Sequence, residues 1–526
     1  MPIKQCMGEN GTCLEHLPFH PGRRSYGKAM KPVRFFVVNL AAWFGLVFPQ
    51  AVLKGQPLTI PAVYTLVEGS TLVDDCPVCD RLPITVPLQG TFRLRFLNQD
   101  PLFDHYAVED ISFTAGSPNG PQYTIVGRGS YRIGGEVGLV QDLSLRVTID
   151  NGMTNPVCYL TNGLTQVTRR WPMFQVGIDQ TNGTLTQQFH LDINAAPFRE
   201  IWFSTAQPFN ASGWNPPTNT ISPGDLLSSI GRVVKRNLEL TGRLGVQPAT
   251  DLGLKAVDVL PGAEVAFSIE RPAFSQSLGS LEPGDLLSDQ GHILRTNPQL
   301  LAAFAPSAPV QAGLDAVQVL ESGEIFFSIQ TNVFSTALGR MLSRGDLLSD
   351  TGALVKSNAE LIAAFKPLNT KLDVGLKSVY VWPSGEVWFS TEEGFASGAN
   401  SNYCAPGDVL SDQGYVVYRN RQLLSSWNGP SDTNNFGLDA LYVVSDVTPP
   451  ASTAGKTRLA TPQITTTSPT LAVLSWTRGG RVFQLEKAAD PGGPYEALSP
   501  IFTDGSYADE AGPTNILKSF YRVRQW

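Results

Sequence analysis

GLDAVQVLESGEIFFSI, from Gly313 to Ile329, and then GDLLSDTGALVKSNAELIAAF, from Gly345 to Phe365, decide how this chain folds, because both stretches occur four times. Glu-x-x-Phe-Ser stands at Glu200–Ser204, Glu264–Ser268, Glu324–Ser328 and Glu386–Ser390. Gly-Asp-Leu/Val-Leu-Ser begins at Gly224, Gly284, Gly345 and Gly407. An Asn opens a short apolar run at Asn237, Asn297, Asn358 and Asn420, and Gly-Leu-Asp/Lys-Ala/Ser recurs at Gly253, Gly313, Gly375 and Gly437. Four landmarks holding one spacing of 60 to 64 residues define a repeat.

Each unit reads mostly as strands. GLDAVQVL and GEIFFSIQ alternate apolar and polar residues, the period-two pattern of a sheet. Ser322-Gly323 and Ser384-Gly385 supply the turns between them. GDLLSD and the stretch after it give two more strands. Asn297-Pro298 then predicts a short helix, with Asn as N-cap and Pro in the first helical position. A four-stranded unit of this size cannot bury both faces alone, so units must stack. The series opens at Glu200 with a strand that lacks its Gly-Leu neighbour, and it closes at Gly437–Val444 with a Gly-Leu strand that lacks its follower. The two incomplete ends complete each other, as ring closure requires. The expected architecture is a four-bladed β-propeller over residues 199–446. The region resembles the repeat-built β-propellers of exported proteins from environmental bacteria.

The flanks also read as β-structure. Thr91–Phe96, Tyr123–Val126, Leu143–Ile149 and Gln187–Asp192 alternate cleanly, with turns at Asn119-Gly120, Gly134-Gly135 and Asn151-Gly152. Residues 57–198 are expected to form a β-sandwich or barrel, with 57–80 as an irregular lead-in. Residues 447–460, rich in Pro, Ser, Thr and Gly, predict a linker. In residues 461–526, Leu471–Trp476, Phe483–Lys487, Tyr495–Leu498 and Phe520–Gln525 read as strands. Leu474-Ser-Trp476 together with Tyr521-Arg-Val523 resembles the fibronectin type III family. That resemblance implies a sandwich serving adhesion, spacing or display. The chain departs from the family in stopping at the strand where another usually follows.

An apolar content of 42% with 16% charged residues fits an ordered globular protein rather than a disordered one. Net charge is −7 without a basic block, which points away from nucleic acid. Lys31 and Arg34 ahead of the apolar run Phe35–Phe48 predict an export signal within residues 1–56, leaving no stable membrane insertion after its removal. Residues 1–29 read as an over-extended start, with Met30 the initiator. Export permits disulfides. The candidates are Cys76, Cys79 and Cys158, and Cys76-Pro-Val-Cys79 suits a structural bridge. A haem motif would need His where Asp80 stands. Cys404 reads as a buried thiol or a bond to another part of the chain.

Chemistry is sparse. His105, His190 and His292 lie in three separate segments, and no nucleophile elbow, phosphate loop or zinc pattern occurs. The recurring acids are the strongest candidates. Asp225, Asp285, Asp346 and Asp408 recur in every unit, as do Glu200, Glu264, Glu324 and Glu386. Asp289, Asp350 and Asp412 recur in three, with Ser229 in the fourth. Rings of these carboxylates could hold Ca²⁺. Equally, Asp after Gly ordinarily bonds its own turn. Trp202 and Trp388 share one repeat position with Ala266 and Phe326, which favours packing over sugar stacking. The expected role is non-catalytic binding or scaffolding at the cell surface, with a protein or polysaccharide as partner. A polysaccharide hydrolase or lyase and a cation-stabilised structural module are the alternatives.

Overall fold

The computed structural model describes residues 61–116, 120–211, 220–308, 310–369, 372–399, 402–428, 434–447, 458–460, 462–468, 471–509 and 519–526. The expected leader and signal, Trp214, and most of the expected linker lie outside them. The described chain is all-β, with only short helices.

Ten strands make the N-terminal part: β1 (Ala62–Leu66), β2 (Thr71–Asp75), β3 (Ile84–Gln99), β4 (Phe103–Gly116), β5 (Gln122–Gly134), β6 (Val140–Asp150), β7 (Val157–Thr161), β8 (Thr165–Gln166), β9 (Phe174–Gln180) and β10 (Gln188–Ala196). Strands β3 to β7 pair in order, β7 pairs β9, β9 pairs β10, and β10 pairs both β1 and β2, which in turn pair β3. The pairings therefore return to their start. Burial alternates along the strands, and Tyr64, Phe92, Phe113, Tyr131 and Phe174 meet in the core. The lead-in expected to be irregular is thus two strands. Ala62, Tyr64 and Leu66 bury alternate side chains, and a turn at Gly69 sends the chain back into the same sheet.

The repeats form four four-stranded sheets. Three are contiguous, such as Ala256–Leu260, Glu264–Ser268, Leu286–Ser288 and His292–Arg295. The fourth takes its first strand, Leu441–Ser445, from the far end of the region and pairs it with Phe198–Phe203, Phe203 lying opposite Leu441 and Glu200 opposite Val444. The first strands of the sheets are neighbours in a cycle: Ala256–Leu260, Ala316–Val319, Leu376–Val381, Leu441–Ser445 and back. Each sheet is tied to the next by a buried hydroxyl. Ser204, Ser268, Ser328 and Ser390 donate to the carbonyls of Leu254, Leu314, Leu376 and Leu438 at 2.7–3.0 Å. Gly323 and Gly385 take φ of 87° and 85° in the first turns, where a side chain would be strained.

Two expectations are corrected. Every unit carries an extra two-stranded hairpin, such as Ala273–Ser275 with Gly279–Leu281. The recurring Asn is not the N-cap: Arg236, Thr296, Ser357 and Arg419 hold that place. The Asn amide is consumed elsewhere. Asn297 donates to the carbonyls of Gly284 and Gly313 and accepts the Ala312 N–H, so it stitches the helix start to the following strand.

Residues 458–526 form two sheets. Gln463–Ser468, Leu471–Ser475 and Ser506–Asp509 make one. Arg458–Ala460, Phe520–Gln525, Phe483–Ala488 and Glu496–Ala497 make the other. The Leu471 and Phe520 strands thus lie in different sheets, with Trp476, Phe483, Leu485 and Val523 packed together. Arg458–Ala460, at the end of the expected linker, pairs with the last strand. All three parts meet at buried Asp446. Its carboxylate accepts the Val63 N–H at 2.8 Å, Arg199 Nε at 2.8 Å and Trp526 Nε1 at 2.7 Å, and Arg524 lies 3.4 Å away.

Candidate functional site

Each recurring acid has a local task. Asp285 Oδ1 accepts the Asn297 N–H at 3.0 Å and Oδ2 the Glu282 N–H at 3.0 Å. Asp225, Asp346 and Asp408 repeat this bridge from the turn to the first helical residue at 2.9–3.1 Å. The Asp is therefore what receives the helix N-terminal donor, a favourable place for negative charge. Asp289, Asp350 and Asp412 each accept the N–H that follows the repeat Glu, at 3.0 Å, and Ser229 Oγ does the same for Ile201 at 3.1 Å. Glu200, Glu264, Glu324 and Glu386 accept from the Ser that ends Gly-Asp-Leu/Val-Leu-Ser in the same sheet: Ser228, Ser288, Ser349 and Ser411.

A hard cation takes six to eight oxygens. Both oxygens of Asp225, Asp285, Asp346 and Asp408 already accept backbone donors. Among the described residues no three His, Cys, Asp or Glu gather as metal ligands.

What circles the first strands is the Asp/Lys position of Gly-Leu-Asp/Lys-Ala/Ser. Lys255, Asp315, Lys377 and Asp439 alternate in charge. Lys255 Nζ lies 3.0 Å from Asp439, and Lys377 lies 3.3 Å from Asp315 and 3.8 Å from Asp439. Burial opposes charge on Lys255, but Asp439, Glu270 and Asp315 outweigh it and raise its pKa. Burial raises that of Asp315 against the pull of Lys377 and Lys255. At the far ends of the same strands, Asp258 accepts the Val319 N–H at 2.7 Å. Arg481, from the C-terminal sheets, lies 3.4 Å from Asp258 and donates to the carbonyls of Val259 and Val319. Asp315 and Asp439, from different sheets, thus share Lys377, while Asp258 faces Arg481.

The remaining candidates are structural too. Trp202, Trp382, Trp388 and Trp427 are fully buried. Cys76 and Cys79 form a disulfide. Cys158, expected among the bridged cysteines, is instead a buried thiol, as is Cys404, because Cys158 faces the core of its sheet. His105 pairs with Asp100 at 2.7 Å, which with the Leu102 and Phe103 N–H donors holds that carboxyl down at about 2. His190 bridges Asp179 and Asp192 at 2.8 and 3.2 Å, and the two acids outweigh burial to raise its pKa. His292 pairs with Glu264 at 3.0 Å.

An open groove of about 450 Å³ lies on the outer face of β5, β6 and β7. Register sets Arg128 opposite Arg146, and Arg146 opposite Tyr159, all exposed. The next row is Ser130, Ser144 and Thr161, with Ser144 and Thr161 hydroxyls 3.1 Å apart. Like charges directly opposite cost stability. Other outward arginines of this sheet have acids: Arg93 with Asp110 at 2.9 Å, Arg95 with Glu109 at 2.5 Å, Arg132 with Asp142 at 2.9 Å. Among the described residues Arg128 and Arg146 pair with none. Gly127 and Gly129 flank Arg128, and a Cβ there would come within 2.3 Å of the Arg146 carbonyl and 2.2 Å of the Ser144 carbonyl. Only glycine lets β5 approach β6 so closely.

No protein-family model matches the chain, and no curated protein matches it. Among solved structures it is similar to the extracellular domain of a hybrid two-component system from B. thetaiotaomicron. The identity is 8% and the TM-score 0.17, over 81% of this chain and 72% of that one. It is similar also to PorZ, a surface component of the type-IX secretion system of Porphyromonas gingivalis, at 10% identity and a TM-score of 0.17, over 84% of this chain and 80% of that one. Sequence reasoning missed this groove: Arg128 and Arg146 are distant in the chain, and only the β5–β6 register sets them side by side. The signal that could have found it is Gly127-Arg-Gly129 opposite the alternating run Leu143–Ile149.

Proposed function

We propose that this is an exported, non-catalytic binding or scaffolding protein of the cell surface, with an extracellular protein or polysaccharide as partner. One observation carries the reading. The recurring acids are spent on the chain's own donors, while the outer groove of β5–β7 keeps two arginines without acid partners. In this reading the four repeat sheets are blades of a four-bladed propeller, closed by the pairing of Phe198–Phe203 with Leu441–Ser445. The C-terminal sheets are a fibronectin type III-like sandwich in which Arg458–Ala460 pairs with Phe520–Gln525. Asp446 and Arg481 link the three parts by hydrogen bonds and ion pairs, which favours a scaffold. Both ends of the circle of first strands carry buried ion pairs, so ligands are met on the outside.

A binding screen of the whole exported chain against glycans and secreted proteins tests the proposal. A specific partner, lost on substitution within the groove and unaltered by incubation, supports it. Turnover of a polysaccharide by the purified protein would instead establish the hydrolase or lyase reading.

A further inference from the structure

We infer that the groove on β5–β7 binds an acidic polysaccharide, a chain of uronate-type sugars whose carboxylates are held by Arg128 and Arg146. The inference rests on the binding role proposed above and names the ligand class. Arginine presents a planar fork that matches a carboxylate with two parallel hydrogen bonds. Two such forks stand on adjacent strands, ~5 Å apart in a sheet. Their mutual repulsion is relieved when anions lie between them. The rest of the lining matches sugar chemistry. Ser130 offers a hydroxyl, the paired Ser144 and Thr161 hydroxyls lie beside it, and Tyr159 offers one exposed ring face. The Arg128–Arg146–Tyr159 row crosses three strands, a span of ~10 Å, enough for a disaccharide.

Other partners fit less well. A protein partner is usually anchored by a cluster of buried aromatic or apolar side chains, and Tyr159 is the groove's one exposed aromatic. Nucleic acid wants a basic stripe, and here two arginines sit on a chain of net charge −7. The edge of the groove is fixed in advance of binding: Thr181 Oγ1 donates to the Tyr159 carbonyl at 3.1 Å, and Asn182 accepts the Tyr159 N–H at 2.9 Å.

The experiment measures calorimetric affinity of the whole protein for polygalacturonate, dextran and inorganic phosphate, at low and high salt. Polygalacturonate is expected to bind, with affinity falling as salt rises. The double variant Arg128→Gln, Arg146→Gln should lose about tenfold or more, the scale of a charge-assisted hydrogen bond. Its melting temperature should not fall, because the substitutions remove a like-charge pair. Tyr159→Ala should weaken binding without changing the salt slope. Unchanged polygalacturonate affinity in the folded double variant overturns the inference. So does equal affinity for dextran, or phosphate binding as tightly as the polymer. If the double variant instead loses a secreted protein or neutral glycan, the uronate assignment falls and the binding role stands. If the groove substitutions alter no binding at all, both fall.

Discussion

Lys255 and Asp439, 184 residues apart in the chain, meet at 3.0 Å between the first strands of two neighbouring sheets. With Lys377 and Asp315 they make a buried circle of alternating charge. Removing one lysine leaves an acid in excess; removing an adjacent opposite pair leaves the circle neutral. Lys255→Met should therefore destabilise by about 3–5 kcal/mol, the cost of stranding a buried charge. Lys255→Met with Asp439→Leu should recover much of it. Chemical denaturation of the two variants decides, and a double variant no more stable than the single would rule out the coupled circle.

Asp446 predicts how the assembly responds to acid. Burial disfavours its charge, but Arg199 and Arg524 outweigh burial and set its folded pKa below the ordinary value. A depressed carboxylate pKa contributes stability above the unfolded value, about 3.9, and loses it as pH falls toward the folded one. Asp446→Asn should thus cost about 3–5 kcal/mol near neutral pH. The gap to the unaltered protein should narrow below pH ~4. Denaturant midpoints from pH 2 to 7 test this. A gap independent of pH would mean that the charge on Asp446 does not matter.

Much of the repeat architecture was legible because one hydrogen-bonding problem is solved four times. Glu, Gly-Asp, Asn and Gly-Leu recur because each occupies the same node of backbone donors and acceptors. The pairing of Phe198–Phe203 with Leu441–Ser445 followed from the two incomplete ends alone. What escaped was set by register and by distance. Strands β1 and β2 are five residues each, too short for their alternation to stand out beside Asp74 and Asp75. The Lys-Asp-Lys-Asp alternation at 255, 315, 377 and 439 shows in the sequence only as an Asp/Lys position of the repeat. Its meaning needs the circle that brings the four together. The Arg128–Arg146 row depends on which residue of β5 faces which of β6.

Asp285 separates the structural reading of the acids from the cation reading. Asp285→Ala removes the acceptor of both the Asn297 and Glu282 N–H groups. Stranding the buried Asn297 donor costs about 1–3 kcal/mol, and the half-buried Glu282 donor less. The melting temperature should drop for the variant and be indifferent to EDTA and to added Ca²⁺ for both proteins. A fall of the unaltered protein's melting temperature on chelation would show that a bound cation does contribute.

Cys158 and Cys404 should be inert in the folded protein. Burial pushes both thiols up to about 11, so at pH 8 only ~0.1% is thiolate, the reactive form. Iodoacetamide labelling followed by peptide mapping should find both unmodified under native conditions and modified in denaturant. Cys76 and Cys79 should stay unlabelled even in denaturant until a reductant is added. Rapid native labelling of Cys158 would show that β7 opens to solvent.

Ser229 is the sharpest test of whether the four units are equivalent. Three units place an Asp there, whose Oδ1 accepts the N–H after the repeat Glu at 3.0 Å. In the fourth sheet the Ser229 hydroxyl accepts the Ile201 N–H at 3.1 Å. Ile201 is fully buried, so its N–H has no route to water once that acceptor is gone. Ser229→Ala should cost about 1–3 kcal/mol. Ser229→Asp restores the acceptor that the other units use and should cost less than the alanine change. In two of those units the Asp also meets a lysine of the preceding sheet, Lys235 for Asp289 and Lys356 for Asp412. The matching place before Ser229 is held by Tyr418, whose hydroxyl donates to the Leu66 carbonyl. Asp at 229 would therefore gain the hydrogen bond but no ion pair, and should remain below Asp289, which also meets Gln290 and Lys235, in the loss caused by its own alanine substitution. Equilibrium unfolding of Ser229→Ala, Ser229→Asp and Asp289→Ala orders the three. An aspartate at 229 that destabilises as much as alanine would show that the seam between Phe198–Phe203 and Leu441–Ser445 is built differently from the other sheets.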